Sequence, residues 1–157
     1  MRVILLQVGK TTDDYAQKAI QTYVDRLGHY LNFQIETIPD LKATKNLSEA
    51  QVKAREAEAI LPYVKPENQV VLLDERGLEQ SSEQFAGWMQ KRMASGARQL
   101  VFVIGGPYGF DQRVYEAVPQ RLSLSKMTFS HQMVRVFFVE QLYRAMTILN
   151  HEPYHHS

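Results

Sequence analysis

The residues best suited to chemistry lie in the last third of the chain. His131 and Arg135 stand four apart in an apolar run, the spacing that puts two side chains on one helix face. His131 falls in the first turn, where the helix dipole disfavours an imidazolium. The neutral ring is then available as a base or hydrogen-bond partner, although a structural histidine fits the same position. Arg135 has apolar neighbours, and a charge so placed is normally paired or aimed at a ligand. Arg144 follows Glu140 by four and reads as a surface ion pair. The tail HEPYHHS holds three of the five histidines. Its spacing matches no metal-site pattern, and its rings suit either a frayed end or stacking on a nucleobase.

Two loops lie just upstream. Gly105 and Gly106 follow the apolar run VFVI, where a missing Cβ lets backbone amides approach a ligand; a tight turn stopped by Gly109 is the alternative. Leu124 to Phe129, LSKMTF, connect a second short apolar run to the final helix. There is no P-loop and no dinucleotide-type glycine fingerprint after the first strand.

Positioning these groups takes a sheet. Met1 to Val8 is predicted as a buried strand, and a helix from Thr12, capped by Thr12 or Asp13, carries a stripe from Tyr15 to Leu27. NFQIETI is a second strand, and 39–46 a polar connection. Ser48 and Gln51 form a capping box for a helix that Pro62 ends. Its thin apolar face, Val52, Ala59 and Ile60, places it on the outside. NQVVLLDERG is a third strand, followed by a helix capped by Ser81 and Gln84 and stopped at Gly96. Leu100 to Ile104 and Leu122 to Leu124 are strands four and five, with a short helix from Asp111 between them. Continuous apolar strands alternating with helices predict a mainly parallel five-stranded α/β sheet flanked by helices, in one domain over 1–157. Ligands in such sheets bind beyond the carboxyl ends of the strands, here Leu72 to Glu75, Ile104 to Gly109 and Leu124 to Phe129. The final helix, apolar nearly all round, is expected to be covered on more than one face, either as an internal helix or, the favoured reading, at a homodimer interface that includes Val139.

The 157 residues suffice for a core, with net charge +1, which permits nucleic-acid binding without arguing for it. The absence of cysteine removes disulfides, thiolate zinc sites and cysteine nucleophiles, and agrees with a reducing cytoplasm. No window is long and apolar enough for a membrane span.

The segments VFVIGGPYG, LSLSKMTFSHQMVRVFFVEQLYRAMTILN and PYHH, with VGK and YVDRLGHY nearer the start, closely resemble the large-subunit ribosomal RNA methyltransferase H family of the SPOUT class. The resemblance implies a trefoil-knotted α/β homodimer in the cytoplasm, binding S-adenosyl-L-methionine and needing no metal. It implies methylation at N3 of a pseudouridine in helix 69 of 23S rRNA, on the assembled ribosome. The cofactor positions it implies are Leu73, Gly105, Gly106, Leu124, Ser125, Lys126, Met127, Thr128 and Phe129. His131, Tyr154 and His155 are the candidates for handling the base, with Arg135 stabilising an anion; Arg92, Arg98, Arg113, Lys126 and Arg135 are the candidate RNA-facing charges. Ser130 replaces the family's frequent proline, which loosens the expected start of the last helix, and His156 replaces its usual arginine or lysine. Against this reading stand a non-catalytic RNA-binding dimer and, more weakly, an enzyme using GGPYG as an anion nest.

Overall fold

The computed structural model describes residues 1–40 and 46–156, so most of the predicted polar connection lies outside the described residues. The elements are β1 (Arg2–Val8), α1 (Asp14–Leu27), β2 (Asn32–Ile38), α2 (Glu49–Ile60), a 3₁₀ turn at Leu61–Tyr63, β3 (Asn68–Glu79), α3 (Ser82–Met93), β4 (Gln99–Ile104), α4 (Gln112–Ala117), β5 (Arg121–Ser123) and α5 (His131–Leu149). The strands form one sheet in the order β2-β1-β4-β3-β5, parallel at every pairing.

Both faces of the sheet are covered, which is why its strands read as unbroken apolar runs. Val3, Leu5, Leu100 and Phe102 point to a core shared with α1, α3 and α5. Ile4, Leu6, Val101 and Val103 point the other way, to α2 and α4. The two capping boxes form as predicted at Ser48 with Gln51 and at Ser81 with Gln84. Asp13 occupies the N-cap of α1, but its side chain does not cap. Gln132 of α5 instead holds the segment just before the helix, accepting the Thr12 and Asp13 amides at 2.8 and 3.1 Å. Ser130 caps α5 by accepting the Met133 amide at 3.2 Å, so the expected loosening at this helix start is not observed.

Three expectations are corrected. α2 lies on the outside, but it buries Glu56 and Ala57 beside Val52 and Ile60, whereas Ala59 is only half-buried. Val139 is 0 % exposed in the core of its own chain, because it faces the sheet; the exposed apolar residue of α5 is Phe137, at 40 %. Arg135 is 2 % exposed, a buried charge at the edge of a cavity rather than one on the open surface.

Strand β3 is longer than its apolar run. It pairs with β5 at Leu72–Leu73 and again at Leu78–Glu79, with a register shift between. A Cβ at Gly77 would come within 2.7 Å of the Arg121 carbonyl carbon, so the two backbones approach this closely because glycine stands there.

Candidate functional site

The carboxyl ends of β4 and β5 lie level with the register shift in the middle of β3, and the three open into a cavity of about 600 Å³. Leu73, Ile104, Leu122, Leu124, Met127, Phe129 and Val134 supply its apolar lining, and Asp74, Glu75 and Arg76 its charged rim. Of the residues expected to hold the cofactor, Leu73, Gly105, Gly106, Leu124, Ser125, Met127, Thr128 and Phe129 line it. Lys126 does not: its side chain is 86 % exposed and lies 3.7 Å from Glu79.

The loop after β5 is held from below. Ser123 Oγ donates to the carbonyls of Glu75 and Ser125, Ser125 Oγ accepts the Met127 amide, and Thr128 Oγ1 donates to Glu75 at 2.7 Å. Among the described residues, 124–129 form no backbone-to-backbone hydrogen bond. Apart from the Ser125 carbonyl and the Met127 amide, which bond to side chains, their main-chain donors and acceptors are left to water or a ligand. The glycine loop is anchored from α2, where Glu56 accepts the Gly106 amide. A Cβ on Gly106 would meet the Glu56 carboxylate at 2.3 Å, so a side chain there breaks their contact, by moving either the carboxylate or the loop.

On the rim, the Tyr115 hydroxyl donates to Asp74 at 2.5 Å and accepts from Arg76 at 3.1 Å. Burial raises the Asp74 carboxyl, but the Tyr115 hydroxyl, the Arg76 amide and the Arg76 charge together outweigh it and hold it below its ordinary value.

The four residues expected to do chemistry are not brought together within one chain. His131, at the start of α5, lines the cavity. Arg135 lies beyond it, donating to Thr11 Oγ1 at 3.0 Å and to the Val8 carbonyl at 2.7 Å. Tyr154 and His155 dock on the helices instead. The Tyr154 hydroxyl donates to Glu140 and lies 3.3 Å from that of Tyr23. Burial, Tyr23 and Glu140 push this phenol far above its ordinary value, making it a donor rather than a base in this position. His155 sits between Arg144 at 3.0 Å and Glu83 at 2.8 Å. The expected Glu140–Arg144 surface pair is thus half-buried, at 2.6 Å, and anchors the tail. Sequence reasoning missed Glu56; an acid on the sheet-facing side of α2, in register with Val52 and Ile60, was its one signal.

The comparisons with known proteins agree with this geometry. A family model described as "Predicted SPOUT methyltransferase" matches residues 1–155. Two proteins named ribosomal RNA large subunit methyltransferase H are similar throughout. The one from Porphyromonas gingivalis is 55% identical over 157 residues, covering 100% of both chains; the one from Christiangramia forsetii is 56% identical over 156 residues, covering 99% of each. In fold, the chain is similar to a probable methylase family protein from Haemophilus influenzae Rd KW20, with TM-score 0.54 and 12% identity over 99% of this chain and 70% of that one. The chain belongs to the SPOUT methyltransferase family.

Proposed function

We propose that this protein is an S-adenosyl-L-methionine-dependent methyltransferase of large-subunit ribosomal RNA. The observation that carries the reading is the cavity at the ends of β4 and β5 and the register shift of β3, whose size of about 600 Å³ suits a nucleoside-sized ligand. The residues present fit this donor. Leu73, Leu124, Met127 and Phe129 offer an apolar wall to adenine, main chain at 124–129 that makes no backbone-to-backbone bond offers hydrogen bonds to its edge, and Asp74 and Glu75 offer negative charge to a sulfonium. The bound donor supplies a methyl group activated by positive sulfur. The chain's own part is to position donor and acceptor for in-line displacement.

The acceptor in this reading is N3 of a pseudouridine in helix 69 of 23S rRNA, modified on the assembled ribosome in the cytoplasm. The names of the similar proteins support the rRNA class. The working unit is a homodimer. Phe137, 40 % exposed and packed on Phe129 at 4.9 Å between ring centres, supports an interface continuous with the cofactor loop. Tyr154 and His155, held away from their own chain's cavity, then act at the partner's site. The threaded trefoil path belongs to the same reading, as the family resemblance implies.

Calorimetric titration with S-adenosyl-L-methionine tests the cavity. The wild type is expected to bind one equivalent per chain, and Gly106→Val to lose at least about tenfold in affinity as the added side chain breaks the contact with Glu56 and crowds the cavity wall. No binding by the wild type, or equal binding by the variant, contradicts the reading.

A further inference from the structure

A second cavity, of about 510 Å³, opens beside the first, between the end of β1, α2 and the start of α5. The two share Gly106, Pro107, Tyr108 and His131, so a group carried in one faces a group held in the other across a common wall. Two buried charges line the second cavity. Glu56, 5 % exposed, rests its carboxylate against Gly106 at that common wall. Arg135 is buried beneath, forms no ion pair among the described residues, and has its Nε without a hydrogen-bond partner. A guanidinium so placed favours negative charge developing above it.

We propose that the second cavity is the acceptor pocket, taking a nucleobase with an acidic imide N–H, and that Glu56 receives the imide proton where the two cavities meet. This rests on the methyltransferase reading above. In the step, the N–H bond breaks as a Glu56 oxygen takes the proton. The nitrogen pair then forms the new bond to the methyl carbon. The bond from methyl to sulfur breaks with its electrons on sulfur, leaving a neutral thioether. The Arg135 charge stabilises the imide anion between these events. Burial raises the Glu56 carboxyl and nearby Asp40 raises it further, against the lowering effect of the Gly106 amide, which makes it a better-matched proton acceptor than a solvated carboxylate. The titratable and charged groups facing it are Lys10 after β1, Asp40 after β2, Tyr108 of the glycine loop, and His131 and Arg135 of α5.

The test uses the full-length protein and ribosomes from a strain lacking the modification. Glu56→Gln keeps an acceptor for the Gly106 amide while removing the base. It is expected to bind S-adenosyl-L-methionine within about twofold of wild type, yet to turn over at least about 100-fold more slowly, with the rising acid limb of the pH–rate profile lost. Asp40→Asn leaves Glu56 in place and is expected to move that limb to lower pH. Turnover by Glu56→Gln within threefold of wild type overturns the proposal, as does a loss of cofactor binding in step with activity, or an Asp40→Asn limb that stays put. A wild type that binds no cofactor and transfers no methyl group removes the methyltransferase reading itself, a different failure from these.

Discussion

Asp74 is kept ionised by the Tyr115 hydroxyl, the Arg76 amide and the Arg76 charge, although its side chain is only 8 % exposed. A carboxyl held below its unfolded pKa contributes stability that is present above that unfolded value, about 3.9, and lost as pH falls through the folded one. Asp74→Asn is therefore expected to lower stability at pH 7 by about 1 kcal/mol. The gap to wild type should close as denaturation is repeated below about pH 4; a constant gap would show the loss is not electrostatic. Side chains such as these mark the limit of reading the sequence. Gly105, Gly106 and the 124–129 loop were legible because glycine and small polar residues at strand ends have few other uses. Asp74 and Glu56 were not, because their partners lie 41 and 50 positions away, at Tyr115 and Gly106.

At the scale of elements, α5 separates two roles that its apolar composition blends. Val139 belongs to the core with Phe138 and Leu142, each 0 % exposed, whereas Phe137 faces outward. Val139→Asp buries an unpaired charge and is expected to unfold the chain, at a cost of more than about 3 kcal/mol. Phe137→Glu is expected to leave a folded chain with native circular dichroism, melting somewhat lower and without dependence on protein concentration, while converting dimers to monomers in light scattering. A folded, dimeric Phe137→Glu protein would remove this face from the interface. Helical periodicity located α1 and α3 but not this division, because a helix apolar nearly all round has no stripe to read. Local signals did better: both predicted capping boxes form, since they depend on residues three apart.

For the whole molecule, continuous apolar strands separated by helices were enough to predict a parallel sheet covered on both faces. Strand order was not legible, because β3 joins β4 and β5 through pairings across long sequence separations. The resulting order puts the carboxyl ends of β4 and β5 beside the register shift of β3 and makes one cavity of them, with a second sharing its wall. The tail docks on α1, α3 and α5 through Tyr154 and His155, and among the described residues none of the tail lines the cavity. The central claim is that this cavity delivers a methyl group to ribosomal RNA. The most direct measurement supplies S-adenosyl-L-methionine with an isotopically labelled methyl to the protein and to ribosomes lacking the modification, then maps the 23S rRNA by mass. The account predicts one labelled methyl, on a single pseudouridine of helix 69. Ribosomal RNA that stays unlabelled with the wild-type protein, under conditions where the cofactor is available, would contradict it.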